Sequence, residues 1–340
     1  MSLLFYCFIC FFLFLLVGLG EKLANTRNFN RKNQDRAGAK KIINVDPSGK
    51  GSFSTIQSAI DSIPFHNDDW IYINVKEGTY REKLRIPKKK PYIILQGQGK
   101  LNTFVEWDDH DNVVQSATFT ALSNNLVVRF ISFRNSYNSP KNSNTVTPAV
   151  AALINGNEAY FFNVGFYGVQ DTLWDNKGTH YYQNCTIEGA IDFIFGVGQS
   201  IFDGCDIDVV VGERGGGHAG YITAQGRRNP NDADGFVFKN CNIKGNGRAY
   251  LGRPWRPHAR VLFYNTNMSK IIAPEGWAPW NLTVTGELAT FAESKNYGDG
   301  ADMSQRVSWE KKLDDVMVQK MISTQFVDNN GWLERTLQIY

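Results

Sequence analysis

Two aspartates, Asp171 and Asp192, stand 21 residues apart in "VQDTLWDNKGTHYYQNCTIEGAIDFIFG", residues 169–196, inside apolar and aromatic runs that read as strands. A carboxylate in such a run is costly unless it is paired, hydrogen-bonded or protonated, so two at one interval point to a purpose. On neighbouring rungs of a parallel sheet they would lie about 4.8 Å apart. Like charges that close cannot both ionise freely, so one group should be raised and the other lowered, giving one acid and one carboxylate. The carboxylate can attack a carbonyl or sugar carbon while its neighbour protonates the leaving group and then activates water, chemistry that serves ester and glycoside hydrolysis alike. A ladder of stacked polar residues would look the same, and the neighbouring residues decide against it. Gln170 offers an amide N–H for a developing oxyanion. In "AYLGRPWRPHARV", residues 249–261, Arg253 can orient a carboxylate and Trp255 can stack on a sugar ring.

The interval itself comes from a repeat. An apolar or aromatic pair, then Asn, Asp or Gly, then a small residue and a β-former recur as "YFFNVGF" (160–166), "YYQNCTI" (181–187), "IFDGCDI" (201–207), "VFKNCNI" (237–243) and "LFYNTNM" (262–268), with starts 20 to 36 residues apart. "LVVRFISFRN" (126–135) belongs to the same series. Short β runs at such a period, with turn residues between them, predict an all-β solenoid, a right-handed parallel β-helix burying one continuous core. A β-sandwich would show hairpin turns and no fixed repeat. In "FSTIQSAIDSIP", Ile56, Ile60 and Ile63 fall on one helical face, and this short N-terminal helix is expected to cap the open end.

The domain reading is a signal peptide over 1–24, a polar segment over 25–42 and a catalytic β-helix over 43–340. The first 20 residues form an uncharged apolar run ending in "VGLG". Export would bring the chain to an oxidising, extracellular compartment, and the sequons at Asn184, Asn267 and Asn281 fit that route, although Asn184 reads as a strand residue unsuited to a glycan. Cys185, Cys205 and Cys241 remain beyond the leader, an odd number that excludes a disulfide scaffold. A formal charge of +3, with no basic stripe carrying interleaved aromatics, excludes a nucleic-acid binder, and no later segment could span a membrane. "GGGHAG" at 215–220 is followed by a strand rather than a helix, so it is a loop and not a dinucleotide cradle, and no G-x-S-x-G elbow exists.

Six blocks, "GTYREKL" (78–84), "SATF" (116–119), "GVQDTLW" (168–174), "GAIDFIFG" (189–196), "YITAQGR" (221–227) and "YLGRPW" (250–255), resemble in order and spacing the signature blocks of plant-type pectin methylesterases. The resemblance covers the chain from about residue 43 to its end. It implies hydrolysis of the methyl esters of polygalacturonate to pectate and methanol. Asp192 would be the nucleophile and Asp171 the acid, then base; Gln170 would stabilise the oxyanion, Arg253 hold Asp192, and Trp255 and Thr118 contact substrate. It also implies no metal and no cofactor, methyl-esterified homogalacturonan as substrate, a secreted, cell-wall monomer, and a proteinaceous methylesterase inhibitor as candidate partner. The long inhibitor-like pro-region often found in the family is missing between leader and catalytic part.

One departure stands out. The chain reads "PAVAAL" at 148–153, and Pro148, 22 residues before Gln170, takes the position of the family's other oxyanion Gln. Proline has no side-chain donor, which leaves half of the polar cradle absent unless Thr147 or a water substitutes. The rival readings are a polygalacturonase or pectate lyase, whose acidic blocks are not found, "EWDDHDN" at 106–112 reading as a turn, and an inactive pectin-binding solenoid, which Pro148 favours and the intact Asp171, Asp192, Gln170 and Arg253 oppose.

Overall fold

The computed structural model describes residues 41–138, 146–214, 219–281 and 283–339, so the expected leader and residues 25–40 of the polar segment lie outside the described residues. Lys41–Val45 is already the first strand, which moves the expected start of the β-domain back by two residues. Three sheets of ten, seven and eight strands run along the molecule, and in each the partner of a strand is the equivalent strand of the next coil, paired parallel. One coil shows the plan: Thr179–Gln183 joins the ten-stranded sheet, Thr186–Gly189 the eight-stranded one and Ile191–Gly196 the seven-stranded one. This is a parallel β-helix.

Each sequence repeat is one corner of that plan. The Asn or Gly of the motif turns the chain from the ten-stranded to the eight-stranded sheet in the left-handed region, with φ of 53°, 54°, 63°, 56° and 47° at Asn163, Asn184, Gly204, Asn240 and Asn265. Asn and Gly tolerate that region far better than branched residues do. Neighbouring corners are linked by side chains: Asn265 Nδ2 donates to Asn240 Oδ1 at 2.8 Å, and Asn240 Nδ2 to Oδ1 of Asp203, the strand residue before Gly204, at 3.1 Å. Asn184 is thus an exposed corner residue, and not the strand residue expected of that sequon. The small residue after each corner points into the core, where Cys185, Cys205 and Cys241 lie buried and free on successive rungs. Inside, Phe161, Tyr182, Phe202, Phe238 and Phe263 stack with centroids 4.7, 4.6, 4.5 and 4.5 Å apart, close to the rung spacing that parallel pairing imposes.

The expected capping helix is α1 (Ile56–Asp61), N-capped by Thr55 and burying Ile56 and Ile60 completely, with Ile63 buried just beyond it. Two further helices had no counterpart in the sequence reading: α2 (Asp315–Ile322) and α3 (Trp332–Leu337). Val318, Met321, Trp332 and Leu333 from this segment cover an outward row of the ten-stranded sheet, Ile94, Val127, Tyr160, Tyr181, Ile201, Val237 and Leu262. That row explains why the strands of this sheet read as continuously apolar, since both faces are covered. Among the described residues no helix is long and apolar enough to cross a membrane.

Candidate active site

Asp171 and Asp192 stand on adjacent rungs of the seven-stranded sheet. Gln170 bridges Ile191, and Asp171 N donates to Ile191 O at 3.0 Å. Neither aspartate has ordinary strand geometry, however: Asp171 precedes the strand Leu173–Asp175 with φ 61°, and Asp192 sits at φ 48°. At Asp192 the pairing slips, Ile191 facing Tyr221 and Ile194 facing Thr223, so three steps of one strand oppose two of the next. This bulge lets Phe193 and Ile194 both enter the core while Asp192 is re-aimed away from it. Gly196, at φ 129°, closes the same strand where a Cβ would lie 1.9 Å from the Asp175 carbonyl oxygen.

The two carboxyl groups have different partners. Arg253, one residue past the strand Ala249–Gly252, donates from Nε to Asp192 Oδ1 at 2.8 Å and from an Nη to Oδ2 at 2.5 Å, a bidentate pair. No side-chain hydrogen bond holds Asp171 among the described residues, and both aspartates are buried, 9% and 7% exposed. Burial, reinforced by the Asp192 charge and opposed by Arg253, pushes Asp171 up to about 7. Asp192 is also raised by burial, against the pull of Arg253, so the expectation of one raised and one lowered group is corrected: desolvation acts on both. The asymmetry survives in the partners, because the guanidinium favours the ionised form of Asp192 directly and Asp171 has no such contact.

The remaining expected residues divide. Gln170 is half-buried, and its side-chain amide has no hydrogen-bond partner among the described residues, leaving it free for an incoming group. Trp255 is half-buried in an apolar wall with Phe195, Trp174, Leu153 and Val150. Its edge-to-face contact with Phe195 has centroids 6.2 Å apart, and Gly226 lies beneath it, where a Cβ would be 2.7 Å from the indole. Pro148 is next to this site: Ala149 N donates to Gln170 O at 3.3 Å, which puts residue 148 just upstream of the neighbouring rung. Thr147 does not replace a missing donor, since its hydroxyl is turned to Asp111 Oδ1 at 2.8 Å. Thr118 is wholly buried, and its Oγ1 donates to Arg134 O at 3.0 Å.

The stretch 106–112, expected as a turn, begins in a strand, Thr103–Trp107, and only residues 108–112 form a loop; its carboxylates are taken, Asp108 by Arg81 at 2.8 Å, Asp109 by Lys83 at 2.5 Å and Glu106 by Arg134 at 3.1 Å. Gly220–Gln225 is a strand, as read after the Gly-rich stretch, of which residues 215–218 lie outside the described residues. A Ser–His–Asp grouping does exist, with His180 Nδ1 at 2.9 Å from Asp175 Oδ1 and Ser200 Oγ donating to Asp175 Oδ2 at 2.7 Å. All three are fully buried, so the grouping holds rungs together and meets no substrate. Two site residues escaped the sequence reading. Tyr221 and Trp280 both pack against the Arg253 guanidinium, whose carbon lies over their rings, 3.9 and 4.4 Å from the centroids.

The arrangement can transfer an acyl group: a buried carboxylate fixed by an arginine, an acid beside it, a free amide at one end and an apolar wall behind. Residues 42–330 match the family profile described as Pectinesterase. The chain is 53% identical over 294 residues to Probable pectinesterase 29 of Arabidopsis thaliana, covering 85% of this chain and 88% of that protein. It is 52% identical over 294 residues to Probable pectinesterase 55 of the same plant, covering 85% and 89%. Among solved structures it is similar to the pectin methylesterase from carrot, with a TM-score of 0.81 and 28% identity over 87% of this chain and 95% of that one.

Proposed function

Because the chain belongs to the pectinesterase family, we propose that Asp192 is the nucleophile and Asp171 the acid and then base of its ester hydrolysis. The chain is a carboxylic ester hydrolase that removes methyl groups from pectin. Asp192, ionised beside Arg253, attacks the methyl-ester carbonyl of a galacturonate unit, and the Gln170 amide donates to the oxyanion that forms. As the tetrahedral species collapses, the C–O bond to methoxide breaks and Asp171 delivers its proton, releasing methanol and leaving an acyl-Asp192 anhydride. Asp171, now a carboxylate, takes a proton from water as the oxygen attacks the anhydride carbonyl; collapse frees the Asp192 carboxylate and the galacturonate carboxyl group. Over the cycle the ester supplies the methoxy group of methanol, and water supplies the hydroxyl of the new carboxyl group and the proton that restores Asp171.

One observation carries this reading: of two buried carboxyl groups on adjacent rungs, Asp192 alone is held bidentate by Arg253. The test is methanol release from highly methylated pectin by the purified chain and its Asp192→Asn variant; a variant as active as its parent overturns the nucleophile. The binding-only alternative has Pro148 alone in its favour, and methanol release by the parent chain removes it. We further propose that the chain acts outside the cell at the wall as a monomer, with a methylesterase inhibitor protein as candidate partner. Support comes from the apolar N-terminal run and the plant relatives. Wall fractionation and size-exclusion chromatography test this, a cytosolic or dimeric protein being the contrary result.

A further inference from the structure

The Arg253 side chain is 21% exposed, and its planar guanidinium is held by three neighbours. One edge is spent on Asp192 at 2.8 and 2.5 Å, and the guanidinium carbon lies over the Tyr221 and Trp280 rings, 3.9 and 4.4 Å from their centroids. A guanidinium donates only in its own plane, so whatever fixes that plane fixes the direction of its hydrogen bonds. One jaw is rigid: Tyr221 belongs to the strand Gly220–Gln225, pairs with Ile191 beside Asp192, and is backed by Tyr250 at 5.6 Å. The other jaw, Trp280, comes from the loop beyond the buried Trp277, and its backbone N–H is tied to Val284 O at 3.0 Å.

We propose that Trp280 is a positioning residue that keeps the Arg253 guanidinium in the plane of the Asp192 carboxylate, and so keeps that carboxylate ionised and aimed for attack. This rests on the esterase reading above. Without the indole face, Arg253 is free to swing towards solvent on that side, and Asp192 would lose its bidentate partner while staying buried beside Asp171. The charged and titratable groups around the pair are Asp171 next to Asp192, Tyr221 against the guanidinium, and Tyr250 with Arg248 behind Tyr221. None of these can replace a guanidinium edge on Asp192. Loss of the clamp therefore raises the pH at which Asp192 ionises, and the acid limb of kcat/KM moves upward.

The test compares Trp280→Ala, Trp280→Phe, Arg253→Lys and the Trp280→Ala/Arg253→Lys double variant. The readouts are kcat, KM and the pH profile of methanol release, with thermal unfolding to show that each chain is folded. Trp280→Ala should lower kcat about tenfold to thirtyfold, leave KM within about twofold, and shift the acid limb up by about half a pH unit or more. Trp280→Phe should recover most of the loss. In the Arg253→Lys background the same tryptophan change should cost less than about twofold, because there is no planar group left to clamp. A Trp280→Ala chain with raised KM and an unmoved acid limb, or an equal loss in both backgrounds, would make Trp280 a plain sugar platform and overturn the proposal. Carboxyl NMR titration of Asp192 reads the same shift without turnover, so a silent parent chain would refute the esterase reading and leave the clamp independently judged.

Discussion

Replacing Pro148 with Gln should make this chain a faster esterase. The residue lies beside the Gln170 rung, is half-exposed, and carries no donor, while the hydroxyl of the adjacent Thr147 is already spent on Asp111 at 2.8 Å. A single oxyanion donor is worth about 100-fold to 1,000-fold in rate. Water reaches residue 148, and a new glutamine would have no neighbour to fix it, so the lower end applies, about 100-fold in kcat, or about 2.7 kcal/mol. Against that, removing a proline frees the unfolded chain and costs about 0.4 to 1 kcal/mol of stability. The backbone contact of Asp111 N with the residue 148 carbonyl, 3.1 Å, needs no proline and should persist. The assay is initial methanol release from highly methylated pectin over a range of substrate concentrations, with unfolding temperature measured alongside. The gain should appear in kcat and not in KM, because the added hydrogen bond forms only once the carbonyl has become an oxyanion. A folded Pro148→Gln chain whose kcat changes less than about threefold refutes the argument that this cradle is short of a donor.

Asp192→Asn should abolish turnover while leaving the fold intact, since asparagine can still accept from Arg253; near-normal methanol release would contradict the assignment. In that variant the charge that helps to raise Asp171 is gone, so Asp171 should titrate below its parent value of about 7, which carboxyl NMR reads directly. For the parent chain, Asp171 is protonated below about 7 and must be so to release methanol, so kcat/KM should decline as pH rises through that value; a rate still climbing well above it would exclude Asp171 as the acid. In the core, Phe202→Ala removes a fully buried ring from the stack between Tyr182 and Phe238 and should cost about 3 to 5 kcal/mol in denaturant unfolding. A loss below about 1 kcal/mol would mean that the ladder is not a principal source of stability.

Much of this molecule is legible in its sequence because the solenoid is nearly one-dimensional. A motif such as "YYQNCTI" sets its own left-handed corner at Asn184, its own inward residue at Cys185 and its own core ring at Tyr182, and the next rung repeats them. Offsets in sequence therefore become distances in space, which is why 21 residues sufficed to place Asp171 beside Asp192. The helices α2 and α3 were not legible that way, because they are short and their apolar residues make sense only against the row they cover on the ten-stranded sheet. Thr118 shows the same limit from the other side: its block does not say where its hydroxyl goes, and only the fold brings it to Arg134 O at 3.0 Å.

What the sequence determined by itself, then, was what repeats, namely the coil, the rung interval and the pairing of the two carboxyl groups, together with a proline, which carries no side-chain donor, at residue 148. What only the tertiary structure decided was how those groups are presented. A bulge at Asp192, worth one residue, re-aims the carboxylate, and burial raises both aspartates where simple repulsion predicted opposite shifts. Arg253 reaches Asp192 across 61 residues, and Trp280 closes on it from a loop further still, because coils of unequal length bring their ends to one groove. Local periodicity encodes neighbours one rung apart; the aim and ionisation of a side chain depend on the packing and desolvation of everything that reaches the same groove.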